Sequence, residues 1–197
     1  VAIPGASGVN KPVFNPATGE QTASLAMASL AEVDAAVASS QAAFQEWRHV
    51  SLARRIKLMH AFRNLLEANQ AEVARRLTAE HGKVTSDALG EVARGLENIE
   101  YACGIAEMLK GAYNESASSG VDVYSVRQPL GVVAGITPFN FPAMVPLWMI
   151  PNAIATGNTF ILKPSERDPS APLFIAELAH RGPARSSLGF ARRHLLV

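Results

Sequence analysis

Between Gln128 and Leu162 the chain carries no Asp, Glu, Lys, Arg or His. A stretch of that length without charge either crosses a lipid bilayer or lies buried in a folded core. Pro138, Pro142, Pro146 and Pro151, with Asn140, Asn152, Gly157 and Asn158, argue against the first. Each would interrupt a lipid-exposed helix and free backbone groups that hydrocarbon cannot satisfy. The stretch therefore reads as a buried strand–helix–strand unit, with no membrane partner expected. Leu130 to Ile136 is a short apolar run, the pattern of a buried parallel strand. Pro142 suits the first turn of a helix. That helix runs to about Thr156, bent or restarted at Pro146 or Pro151. Thr159 to Leu162 is the next strand, and a further helix begins over Ala171 to Ala179. This order predicts an α/β fold built from a βαβ unit with right-handed crossover.

The preceding half reads as mostly helical. Val13-Phe-Asn-Pro-Ala-Thr-Gly-Glu20 is a short strand entering a turn, since Asn-Pro and Thr-Gly are turn chemistry. Ser29-Leu-Ala-Glu32 is a capping box. Val33, Ala36, Val37, Phe44 and Trp47 then share one helical face. A second helix follows Ser51, with Leu52, Ile56, Met59 and Leu66 facing inward. A third spans about Gln70 to His81 and stops at Gly82, a glycine C-cap. Thr85 or Ser86 caps a fourth through Glu91, Arg94 and Glu100. Gly111 and the cluster from Ser116 to Gly120 close the helical half. Val121-Asp-Val-Tyr-Ser-Val-Arg127 alternates as an edge or arm strand does.

Hydrophobic residues make up 48% of the 197, enough for a packed core, and the net charge of +1 gives no reason to expect nucleic acid. The single cysteine, Cys103, excludes an internal disulfide and fits a reducing compartment, read here as the cytoplasm. Val1-Ala-Ile-Pro-Gly5 lacks the basic and apolar regions of a secretory signal. The five histidines show no metal-ligand spacing, so no metal is expected.

A few residues are candidates for chemistry. Asn140, at the end of a strand and between two prolines, can donate its amide to an oxyanion or satisfy a turn. Lys163 and Glu166 follow the second strand, and ligands of open α/β sheets sit at the carboxyl ends of strands. A Lys and a carboxylate there can hold ribose hydroxyls, or can stand solvated at a helix start. No G-x-G-x-x-G is present, since Gly131 and Gly135 have the wrong spacing. Arg94 lies near Glu91 and Glu97 on one helix, an ion-pair spacing or a fork for a substrate carboxylate. Cys103 sits in a helical stretch with no placed activator, which makes it a packing residue.

Longer runs carry a resemblance. Pro138-Phe-Asn-Phe-Pro-Ala-Met-Val-Pro-Leu-Trp148 and Gly157-Asn-Thr-Phe-Ile-Leu-Lys-Pro-Ser-Glu-Arg167 resemble the aldehyde dehydrogenase superfamily, in its methylmalonate-semialdehyde dehydrogenase branch. Asn15-Pro-Ala-Thr-Gly19, Glu80-His-Gly-Lys83 and Gly90-Glu-Val-Ala-Arg-Gly-Leu-Glu97 are similar too. Phe139 stands where most of the superfamily has Trp. The resemblance implies an N-terminal helical layer plus the first βαβ units of a Rossmann-variant NAD-binding domain. It implies that Asn140 binds the oxyanion and that Thr137 and Phe139 line the NAD site, Thr137 largely through its backbone. Lys163, Glu166 and Arg167 would surround the adenosine ribose, and Arg94 would grip the substrate carboxylate. The strand near 121–127 would belong to an oligomerisation arm, in a homo-oligomer expected to be a tetramer. The family reaction oxidises malonate or methylmalonate semialdehyde with NAD, releases carbon dioxide, and passes the acyl group to coenzyme A.

The resemblance extends from about Val13 to about Ala179 and does not reach the family's nucleophilic Cys or its catalytic domain. From His180 onward the chain has four Arg and no acid, leaving 14 basic residues against 17 acidic ones before it. The expectation is therefore a partial NAD-binding domain over 1–179 and an unmatched basic tail over 180–197, read as out-of-frame. Two functional readings follow: a semialdehyde dehydrogenase represented by this part, or a catalytically inactive remnant of one.

Overall fold

The computed structural model describes residues 5–181, so residues 182–197 of the basic tail lie outside the described residues. The chain opens with an antiparallel hairpin, β1 (Asn10–Phe14) with β2 (Gln21–Ala26). The Asn15 side chain accepts the Ala17 N–H at 3.0 Å, and Gly19 supplies the positive φ of 72° that closes the turn. β2 was not apparent from the sequence, because Gln-Thr-Ala-Ser is small, polar and exposed. It is a strand because β1 and the turn bring it into register.

Four helices follow, α1 (Leu30–Trp47), α2 (Leu52–Ala68), α3 (Gln70–His81) and α4 (Thr85–Cys103), then a single turn, α5 (Ile105–Met108). The capping box at Ser29 and Glu32 is fully formed, and Ser51 caps α2. Gly82 ends α3 in the left-handed region, at φ 85°. The start of α4 differs from expectation. Its N-cap is Val84, with no side-chain cap, and Thr85 is already helical. Two expected inward residues, Val33 and Leu52, are exposed at 37% each. Arg55 is buried in their stead. It donates to the carbonyls of Arg48 at 2.9 Å and Ala155 at 3.5 Å, at the ends of two helices, where a cation complements the helix dipoles.

The stretch from Ser116 to Gly120 lies beyond the last helix of this half, as expected. It forms part of a second hairpin, β3 (Tyr113–Ser118) with β4 (Val121–Tyr124), both exposed throughout.

The charge-free stretch forms β5 (Val132–Ile136), α6 (Met144–Ala155) and β6 (Thr159–Lys163), followed by α7 (Ser170–Arg181). β5 and β6 pair in parallel from Val132–Thr159 to Ile136–Lys163. β6 is buried, but β5 is not the wholly buried strand its apolar run predicts. Leu130 is 90% exposed and Ile136 76%. Among the described residues β6 is its only strand neighbour, and α1 covers its outer face only near Val132.

Both prolines inside α6 are accommodated. Pro146 lies in the first turn, where an N–H is unpaired anyway. Pro151 deprives the Leu147 carbonyl of its helical donor, and the Asn98 amide of α4 fills that place at 2.7 Å. α4 and α6 pack closely enough that a Cβ on Gly95 would meet Leu147 Cδ1 at 2.2 Å. Around this contact Phe62, Leu66, Val73, Leu77, Ile99 and Ile175 form the main core.

Candidate functional site

The carboxyl ends of β5 and β6 carry the first group of candidate residues. The Thr137 N–H donates to the Lys163 carbonyl at 3.1 Å, extending the strand ladder by one bond. Thr137 is buried, and its hydroxyl has no hydrogen-bond partner. Lys163 pairs with Glu166 at 3.2 Å across a partly exposed turn. The Glu166 carboxyl is held below the usual range by its own backbone N–H and then by Lys163. Arg167 stacks its guanidinium on the half-exposed Phe139 ring, 4.4 Å from the centroid. Thr137, Phe139, Lys163, Glu166 and Arg167 thus converge on one edge of the sheet.

Asn140 and Arg94 belong to a second, neighbouring region. They line a cavity of about 680 Å³ between α3, α4 and the loop entering α6, with His81, Lys83, Glu91 and Phe141. Arg94 stands at the rim, its side chain 69% exposed and paired with Glu97 at 3.0 Å. Glu91, expected beside Arg94, turns the other way. It is buried, it pairs with Lys83, and its Oε1 accepts the N–H groups of Ala143 at 2.7 Å and Met144 at 3.0 Å. Lys83 also donates to the Asn140 carbonyl at 3.4 Å and lies over the Phe141 ring.

Lys83 and Glu91 as site-forming residues escaped the sequence reading. One signal was available. Glu91 shares a helix face with Ala88, Val92, Gly95 and Ile99, all buried. A carboxylate on that stripe must find a donor.

Two more ionisable groups are perturbed, His81 in the cavity lining and the buried Asp168. Burial, and then the Lys83 charge, hold His81 below its usual range. The Asp168 carboxyl is pushed up to about 7, by burial first and then by the Glu80 charge. Cys103 lies away from the cavity, near the end of α4, and burial raises its thiol. Among the described residues no group of His, Cys, Asp and Glu is arranged to hold a metal ion, and no helix is long and apolar enough to cross a membrane.

The family model for the aldehyde dehydrogenase family matches residues 3–184. The chain belongs to the aldehyde dehydrogenase family. The match runs past Ala179, where the sequence reading had the resemblance end. Malonate-semialdehyde dehydrogenase of Pseudomonas aeruginosa is 52% identical over 174 residues, covering 88% of this chain and 35% of its own length. The mitochondrial, acylating methylmalonate-semialdehyde dehydrogenase of Arabidopsis thaliana is 48% identical over 167 residues, covering 85% of this chain and 28% of its own. The chain therefore spans about a third of the length of the curated relatives it matches.

Solved structures agree. The crystal structure of methylmalonate-semialdehyde dehydrogenase from Oceanimonas doudoroffii superposes with a TM-score of 0.91 at 47% identity, over 98% of this chain and 38% of that one. A Sinorhizobium meliloti structure described as a methylmalonate-semialdehyde dehydrogenase complexed with NAD gives 0.91 at 46%, over 98% and 39%. The architecture is part of the aldehyde dehydrogenase fold, with its helical layer and first βαβ unit in place.

Proposed function

We propose that this chain supplies the dinucleotide edge and the oxyanion donor of an NAD-dependent, CoA-acylating dehydrogenase of malonate or methylmalonate semialdehyde. One observation carries the reading: Asn140 and Arg94 line the same cavity, and Asn140 adjoins Phe139 of the cofactor edge. An amide donor and a guanidinium facing one space suit a substrate with an aldehyde at one end and a carboxylate at the other.

The residues at the strand ends fit NAD. Thr137 offers a buried hydroxyl without a partner, and Lys163 and Glu166 offer a cation and an ionised carboxylate. These two would hold the adenosine ribose hydroxyls, and Phe139 and Arg167 would flank the dinucleotide. NAD, when bound, supplies the hydride acceptor. Asn140 donates to the oxygen that gains charge as a thiolate adds to the aldehyde. Arg94 holds the far carboxylate until it leaves as carbon dioxide. Cys103 is not that thiolate, because its raised thiol and helical setting oppose ionisation. We place the nucleophile and the coenzyme A contacts in other parts of the whole enzyme, acting as a cytoplasmic homo-tetramer with the β3–β4 hairpin in its oligomerisation arm.

The test uses a full-length relative with the same residues. Asn140→Ala lowers kcat by roughly 10²–10³-fold, the cost of one oxyanion donor. Arg94→Leu raises KM for malonate semialdehyde and spares propanal. Equal losses on the two aldehydes would remove the carboxylate role from Arg94.

A further inference from the structure

Asn140 is useful as an oxyanion donor only if its Cα–Cβ bond points one way, because a misaimed amide loses its advantage. The loop that carries it is irregular and exposed from Pro138 to Phe141. Pro138 and Pro142 fix two φ angles, but neither fixes the peptide planes on either side of Asn140. Something else must hold them.

Two linked side chains from outside the loop do so, beside His81, which also faces the Asn140 backbone. Lys83, in the turn after α3, touches the Asn140 carbonyl at 3.4 Å and the Phe141 ring at 4.9 Å. Glu91, on α4, accepts the N–H groups of Ala143 and Met144 with a single oxygen. Its other oxygen takes Lys83. The two side chains are 11% and 2% exposed, so the pair is desolvated. They grip positions 140 to 144 from either end and are tied to each other.

We propose that the Lys83–Glu91 pair is a positioning device that sets the direction of the Asn140 side chain. Packing alone does not account for it. Two apolar residues of similar volume would commonly stabilise such a site as well as a buried ion pair, or better. What an apolar pair cannot supply is a donor aimed at one carbonyl and an acceptor aimed at two amides. Glu91 also satisfies the first N–H groups of α6, where no side-chain cap is present. Neither residue touches the reacting atoms in this role. They act through Asn140, so the inference rests on the oxyanion reading above, while its test does not.

The experiment uses the ¹⁵N-labelled 197-residue chain, with the Asn140 side-chain N–H₂ signals assigned by their loss in Asn140→Ala. In Glu91→Leu, exchange of the Ala143 and Met144 amides accelerates about tenfold or more, as expected for a lost charge-assisted hydrogen bond. The Asn140 side-chain signals shift and sharpen as the amide gains motion. The Asn98 side-chain amide, which bridges α4 and α6, is the reference and stays unchanged. Unchanged Asn140 signals would overturn the proposal. So would equal changes at Asn98, which would mean that α6 as a whole had loosened. If Glu91→Leu does not fold, Lys83→Met, which leaves Glu91 on its two amides, is read by the same Asn140 and Asn98 signals. Intact turnover in Asn140→Ala of a full-length relative would sink the oxyanion reading and the catalytic purpose of the pair, whereas the Asn140 signals alone decide whether the pair sets the direction of that side chain.

Discussion

Arg167 lies on the exposed face of Phe139, with its guanidinium carbon 4.4 Å from the ring centroid. The two residues come from different loops, one after β5 and one after β6. Their stack ties the carboxyl ends of the two strands together beside the Lys163–Glu166 pair.

This edge leads to a prediction about NAD. Lys163→Met and Glu166→Gln each weaken NAD binding about tenfold, as expected for losing one charge-assisted hydrogen bond. Arg94→Leu, in the neighbouring cavity, leaves NAD binding unchanged. Equilibrium dialysis of the chain with NAD checks this. Identical losses in all three variants would argue against two separate regions.

Cys103 gives a second prediction. Burial, and then Glu100, hold its thiol above the ordinary range, so it stays protonated at neutral pH. The 197 residues by themselves form no NADH from malonate semialdehyde, NAD and coenzyme A. Iodoacetamide reacts more slowly with the folded chain at neutral pH than with the same chain in urea. Turnover abolished by Cys103→Ser would reverse the assignment.

Asp168 gives a third. It is 3% exposed and its carboxyl is pushed up to about 7 from an ordinary 3.8, mainly by burial and then by the Glu80 charge. Ser165 and Lys83 act in the opposite direction, and Glu91 in the same one. The unfolded chain releases this proton near its ordinary value, while the folded chain keeps it to near neutrality. Between those limits the folded state binds more protons, so stability falls as pH rises, by up to ~1.4 kcal/mol per unit. The contribution is complete below the ordinary carboxyl range and lost above neutrality. Melting temperatures recorded from mildly acidic to mildly alkaline buffer decline in the wild type, and Asp168→Asn flattens the decline. An unaltered decline in the variant would assign the effect to other groups, among which His81 acts with the opposite sign because its value is depressed.

Local structure follows directly from residue type wherever one residue has one conformational use. The capping box at Ser29, the helix following Ser51 and the Gly82 stop appear as read. So does the strand–helix–strand order of the charge-free stretch, because a long uncharged run punctuated by prolines and glycines has few other solutions. The family was legible as well, since its runs around Asn140 and Lys163 are long and contiguous. Features that depend on partners far along the chain arise only once the elements pack together. β2 and β3 are strands only because a neighbour pairs with them. Pro151 stays inside a helix because Asn98, on another helix, serves the carbonyl it leaves unpaired. Glu91 reads on paper as a surface partner of Arg94, yet α6 packs over it and turns it toward Lys83 and two backbone amides. Helical spacing tells which face a carboxylate occupies. Only the packing of the next element settles whether that face meets water or a buried donor.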